Sequence, residues 1–357
     1  MKIGGILFEV WQDIRTGTAR IPMFTFIFVI VTSTFIITDL IQIRSYIQSA
    51  NEYQAAGASI TTLIAPGQIS GPACESLTDL DLVKTAGAIR ESEGKVTYSA
   101  LPSAPLPIFE ITPSFPNLLN TTTTGTSGIV ASDQVLSQLG RQLGDTIATN
   151  DGEVSIAGVY SYPDDGRRSE YAYAALIPTN DSKPFDECWI DSWPQSDEIV
   201  SLLYTTLIPT KAQDVDSPSI SQLNTTLARE FNGQHLFQNR ITKWAPILAA
   251  AVCLIVGFMS IHIRRLHIAS ALHTGLLRKD MRRILALETF AWLTVGIFIT
   301  LTAAFTLVMT DMPADRAILL TIMARTTLLA AIGAIAGAIF AWLTIREKQL
   351  FNYYKNR

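Results

Sequence analysis

Residues able to do chemistry are few in this sequence, and they fall in three places. His262, His267 and His273 share one basic stretch with Asp280, while His235 stands apart. That spacing repeats no metal-ligand motif, so no metal site is expected. Phosphate-bond chemistry needs a Gly-x-x-x-x-Gly-Lys-Ser/Thr loop whose backbone N–H groups cradle the phosphates, and the chain has none. It also has no Gly-x-Ser-x-Gly elbow for a nucleophilic serine. No catalytic residue and no bound cofactor is therefore expected, and the chain does not read as an enzyme.

The second place is the basic stretch itself. Arg264, Arg265, Arg278, Lys279, Arg282 and Arg283 face a single acid, Asp280, and Gly275 divides the run. A short helix ended by a glycine, basic on one side, suits two uses. It can lie on anionic lipid, or it can be a mechanical contact for another subunit. The residues alone leave both open. The run is too short for nucleic-acid binding.

The third place is a cysteine pair. Cys74 and Cys188 lie in the polar middle of the chain, and Cys253 lies in an apolar segment. In an oxidising compartment the isolated pair reads as a disulfide; otherwise they are two buried thiols.

The elements that must position these residues follow from composition. The chain has 357 residues, 48% of them hydrophobic and 16% charged, with a mean hydropathy of +0.27. That is too apolar for an ordinary soluble protein. Four apolar segments reach the ~20 residues that cross a hydrocarbon core as a helix. The reading is an α-helical polytopic membrane protein with a large mixed α+β domain between the first and second spans. An amphipathic stretch covers 1–21 and the first span covers 22–43, continuing into a stalk helix. The domain with its stalk helices covers 44–243, and the second span covers 244–263. The basic loop is 264–283, the third span 284–309, a short loop 310–317, the fourth span 318–345 and a tail 346–357. The first span is too long for a signal h-region and lacks a cleavage pattern, so it is expected to be retained.

Lys and Arg placement orients the chain. Both termini and the basic loop are rich in them, which predicts a cytoplasmic position and an extracytoplasmic domain. From Ser45 to Lys243 there are 23 acids and 11 bases, a net of −12. Within that domain, alternation predicts strands at Ala58–Ile64, Glu153–Tyr160 and Tyr171–Ile177, and helical spacing runs over Ser132–Leu143. Leu40, Ile43 and Ile47 continue the first span at helical period. Ile220, Leu223, Leu227 and Phe231 do the same before the second, which predicts two stalk helices. The apolar residues of Pro102–Phe115 read either as a partner-binding groove or as a buried strand. In the membrane, Asp39 and Arg325 are intramembrane charges that must snorkel or pair, with Asp311 or Asp39 as candidate partners for Arg325. Gly333 and Gly337 form a small-xxx-small pattern for close helix packing.

One span, a large domain, then three spans resembles the permease subunits of MacB/FtsX-type ABC transporters. The basic loop carries the strongest likeness: Arg264 and Arg265 leave the second span, an amphipathic coupling helix follows, Gly275 and Leu276 break it, Arg282 and Arg283 form a second basic cluster, and Glu288 opens the third span. The pattern Gly128-Ile-Val-Ala-Ser-Asp through Val154-Ser-Ile-Ala-Gly-Val-Tyr160 is similar to the family's outer domain. The chain departs from the family at His267 and Leu272, where a Glu and an Arg are usual, and in the tail 346–357. The resemblance implies a plasma-membrane protein of a bacterium, working with a second permease copy or an unlike paralogue. It implies a cytoplasmic ATPase partner that binds ATP and Mg, contact with membrane lipid, and an extracytoplasmic protein partner in some members. The implied activity is mechanotransmission: ATP hydrolysis moves the outer domain and exports or extracts a hydrophobic or peptide-like substrate. The alternative the family offers is an FtsX-like regulator that activates a wall hydrolase without transport.

Overall fold

The computed structural model describes residues 3–96, 106–125, 128–149, 152–209, 217–309 and 313–345. The chain opens with α1 (Ile3–Arg15) and α2 (Ile21–Ala55). Ten strands follow: β1 (Ile60–Ile69), β2 (Val83–Val96), β3 (Leu106–Ile111), β4 (Thr122–Thr123), β5 (Ile129–Ser132), β6 (Thr146–Thr149), β7 (Gly152–Tyr160), β8 (Ala175–Pro178), β9 (Phe185–Ser192) and β10 (Ser219–Gln222). Short helices α3 (Gly71–Ser76), α4 (Asp133–Leu139) and α5 (Asp197–Tyr204) lie among them. After the strands come α6 (Gly233–Gln238), α7 (Ala245–His262), α8 (Arg265–His273), α9 (Arg278–Val308) and α10 (Pro313–Thr344). Two compact units result, one of Met1–Tyr46 with Gln234–Arg357 and one of Ile47–Gly233.

The second unit is a mixed α/β domain on one large sheet. Its strand order is β10-β1-β9-β2-β3-β8-β5-β7-β4, with β6 also on β7. β3 with β8 and β5 with β7 pair in parallel, and the other neighbours pair antiparallel. Alternation in β9 divides the core, because successive side chains take opposite faces. Trp189 packs on one face with Phe115 and Tyr171 at centroid distances of 4.9 and 5.1 Å. Cys188 packs on the other with Leu63, Ala88 and Phe185. There it is joined to Cys74 by a disulfide with Cα atoms 5.8 Å apart.

Local signals explain the ends of several elements. Ser132 caps α4 by accepting a hydrogen bond from Val135 N–H at 3.2 Å. The helix stops at Leu139 rather than Leu143 because Gly140 takes a left-handed conformation, φ 63°. The segment around Pro102–Phe115 is a buried strand and not a groove: β3 lies between β2 and β8, and Leu106, Ile111 and Phe115 are fully buried. Residues 102–105 lie outside the described residues.

The expected stalk helix before the second span does not form. Ser219–Gln222 pairs with β1 as edge strand β10, and the buried Asn224 side chain donates to the carbonyls of Ala56 and Asp165 at 3.0 Å. Arg240 is extended, φ −60° and ψ 139°, so α6 and α7 are separate helices joined through a 3-10 turn at Ile241–Trp244. Ile220, Leu223 and Leu227 fit a helical period only because the strand is too short to display alternation. On the other side α2 does continue, as one helix of 35 residues.

The first unit is helical. Among the described residues four helices, Ile21–Ala55, Ile241–His262, Arg278–Val308 and Arg316–Thr344, are long and apolar enough to cross a membrane. Their outward surfaces are apolar: Phe290, Phe298, Leu328, Phe340 and Leu343 are each at least 60% exposed. A water-soluble bundle would place polar groups there. The interior holds Phe28 and Trp292, 6.0 Å apart edge to face, with Ala249, Cys253 and Ala334. α1 buries Ile6 and Val10 against Ile284 and exposes Leu7, Phe8 and Trp11.

Candidate functional site

Two groups of residues in the helical unit gather side chains of the right type. The larger is the connection from α7 to α9. α8 buries Ile268, Ala269 and Leu272, and Ile268 and Leu272 join Ile261, Met281, Leu285 and Ala341 in one cluster. Leu272 thus belongs to the inward face of α8, which accounts for an apolar residue at that position. His267 lies on the exposed side together with Ser270 and His273.

Gly275 ends α8 with φ +100°. Its N–H donates to Leu272 O at 3.2 Å, and Leu276 N–H reaches back to Ala271 O at 3.2 Å. This double hydrogen bond is the Schellman closure, which satisfies the last carbonyls of a helix. Leu276 folds half-buried onto the same apolar cluster. α9 then starts at Arg278, earlier than the expected span at 284, because Leu277 is extended and acts as its N-cap with Asp280 in the first turn. Glu288 therefore lies well inside α9.

Arg264 is the hub of this region. One guanidinium nitrogen donates to Glu288 Oε2 at 2.6 Å and the other to Asp13 Oδ2 at 3.2 Å. The three side chains are 11%, 6% and 17% exposed. This single residue therefore ties the α7–α8 junction to α9 and to α1. Burial raises the Asp13 carboxyl, but the hydrogen bond from Thr18 and the charge and hydrogen bond of Arg264 outweigh it and hold it below its ordinary value. Asp13 was absent from the sequence reading; the only available signal was an acid on the polar side of an amphipathic stretch.

The remaining basic residues form the rim. Arg265 donates to His262 Nε2 at 3.1 Å. Arg283 lies 3.7 Å from Asp280, and Arg282 is exposed. Arg278 donates to Ile345 O at 2.9 Å and stacks over Trp342. A cleft of about 560 Å³ runs between the α1–α2 turn at Thr16–Thr18 and the Arg264–His267 segment.

The second group is at the opposite end of the same helices. Asp39, only 2% exposed, accepts from Arg240 Nε at 3.1 Å and also from the Thr242 hydroxyl. Asp39 is thus the partner of Arg240 and not of Arg325. Arg325 is exposed, with no ion pair among the described residues; Asp311 lies outside them, as does the tail 346–357. Gly333 and Gly337 lie against α7 of the same chain. A Cβ on either would come within 2.1 or 1.9 Å of Ala250 O or Leu254 O, and one on Gly257 within 1.9 Å of Ala334 O. Gly257 completes this contact and was not singled out from the sequence.

No family model matches the chain, and no curated protein does. Among solved structures, the periplasmic region of MacB from Actinobacillus actinomycetemcomitans is similar at 10% identity over 53% of this chain and 96% of that one, with a TM-score of 0.34. The extracellular domain of the ABC-type transporter YknZ from Gram-positive bacteria is similar at 12% identity over 40% of this chain and 88% of that one, with a TM-score of 0.29. Likenesses this distant carry no functional argument.

Proposed function

We propose that this chain is the membrane subunit of an ABC system, and that the segment Arg264–Glu288 is where a separate cytoplasmic ATPase pushes. The observation that carries the reading is the Arg264 hub. The short helix α8 ends at a glycine closure and presents His267 outward, the Arg282–Arg283 pair is exposed on the first turns of α9, and the buried guanidinium of Arg264 at the start of α8 binds α1 and α9. A force on α8 is then delivered to α1 and α9 instead of being absorbed by a loose loop. α2 supports the lever role, since 35 helical residues span about 52 Å at 1.5 Å each, well beyond a hydrocarbon core of roughly 30 Å. Two copies, or this chain with an unlike paralogue, would work with two ATPases holding ATP and Mg. The cargo class is a hydrophobic or peptide-like molecule taken from the extracytoplasmic side. The FtsX-like regulator shares this machinery, and co-isolation of a wall hydrolase in place of transport activity would select it.

The test is to break transmission without unfolding the bundle. Proline fixes φ near −65°, so Gly275→Pro cannot adopt +100° and destroys the closure. In the reconstituted complex, Gly275→Pro and the charge reversal Arg282→Glu with Arg283→Glu should leave ATP hydrolysis running without substrate movement. Normal coupling in both would refute the reading.

A further inference from the structure

α7 and α10 touch at backbone distance through Gly257, Gly333 and Gly337, and residues ahead of that contact on both sides line one groove. This groove, of about 730 Å³, is lined by Arg240, Lys243, Trp244, Ile318, Ile322 and Arg325 among others. The contacts Gly333 with Ala250 and Gly337 with Leu254 fix the parallel register. Carried outward, that register and the Gly257 contact with Ala334 bracket the level of Arg325 between Thr242 and Leu248, at the 3-10 turn Ile241–Trp244 and the first turn of α7. Trp and Lys at the start of an apolar helix mark the headgroup level of a bilayer. Arg325 is therefore at headgroup depth, although it lies within an apolar helix.

The charges in the groove are unbalanced. Arg240 is committed to Asp39 and lies 4.0 Å over the Phe237 ring. The Lys243 ammonium lies 5.8 Å over the Trp244 ring, and no ion pair joins Lys243 or Arg325 to an acid among the described residues. No acid lines the groove among those residues, while Ile247 and Ile318 present apolar walls, each more than half exposed. An isologous second copy would set like charges against one another. A free anion would leave the apolar walls unused.

We propose that this groove binds an anionic phospholipid, its phosphate held between Lys243 and Arg325 and its chains against Ile247, Ile318 and Ile322. This rests on the reading of α7 and α10 as membrane-spanning. The site would order lipid against the two helices whose closest contact is glycine on backbone.

The test uses the full chain in lipid nanodiscs, followed by native mass spectrometry of retained lipid during titration with phosphatidylglycerol or phosphatidylcholine. A cation at the membrane surface contributes about fivefold toward anionic lipid, so the pair should give roughly 25-fold preference for phosphatidylglycerol. Lys243→Gln and Arg325→Gln should each lower it about fivefold, and Arg325→Lys should retain it. Equal retention of the two lipids, or a preference unchanged in the double Gln variant, overturns the proposal. So does displacement by inorganic phosphate at matched concentration, which would mark a simple anion site. A chain that fails to enter nanodiscs overturns the membrane reading as well, whereas one that enters without preference overturns only this site.

Discussion

Replacing Gly257 or Gly337 by alanine should loosen the membrane bundle at one defined interface. The added methyl carbon would stand 1.9 Å from Ala334 O or from Leu254 O, both of them backbone atoms. No rotamer change relieves such a contact, so α7 and α10 must separate by roughly 1–1.5 Å to reach van der Waals distance. A gap of 0.5–1 Å already forfeits a quarter to a half of each dispersion well, and overpacking typically costs about 1–3 kcal/mol. Cys253 reports the result, because it is a free, fully buried thiol packed in the same core as Ala334. If labelling proceeds through local opening, 1–3 kcal/mol means about 5- to 150-fold faster reaction with a maleimide. Gly4→Ala is the control, since no atom lies within 4 Å of the position its Cβ would take. Gly296→Ala should be intermediate, because there the neighbour is the Phe28 ring, which can turn. Labelling of Gly257→Ala and Gly337→Ala at the parental rate would refute the close packing of α7 on α10.

Removing the hub should be more damaging than removing any rim charge. Arg264→Met leaves Asp13 and Glu288 buried without their cation, a loss of about 3–5 kcal/mol in thermal or denaturant unfolding; adding Asp13→Asn and Glu288→Gln should recover part of it, and purely additive losses would contradict the network. The depressed Asp13 carboxyl contributes stability that is present above its unfolded value of 3.8 and is lost as pH falls through the lower folded value. Hydrogen exchange of α1 should therefore stay protected at pH 5 and rise below about 3.8; protection lost already near pH 6 would show that Asp13 does not hold α1. Substituting Cys74 and Cys188 by alanine opens a 114-residue cross-link and should cost about 2–5 kcal/mol in unfolding of the sheet domain, whereas no change would indicate that the bond is idle.

Much of the architecture was legible because its signals are local. Runs of about twenty apolar residues, the helical spacing that begins at Ser132 and the φ-permissive Gly275 each act within a few positions. The features that were missed are long-range. Asp13 and Arg264 are 251 positions apart, and nothing in either neighbourhood announces the pair. Arg240 sits in the segment where a stalk helix is expected to lead into the second span, and nothing local marks its bond to Asp39. β10 has four residues, too few to separate a strand's period from a helix's, and its pairing with β1 decided the matter. Gly257 lacks the i+4 glycine that drew notice to Gly333 and Gly337, and only the fold shows that it faces Ala334.

The most direct measurement is in-cell photo-crosslinking from the exposed side of α8, with the photoreactive residue at His267 and a control at Ser182 in the sheet domain. The account predicts that the His267 probe captures a P-loop ATPase and that the Ser182 probe does not. A folded, membrane-inserted chain whose His267 probe captures no ATPase would contradict it.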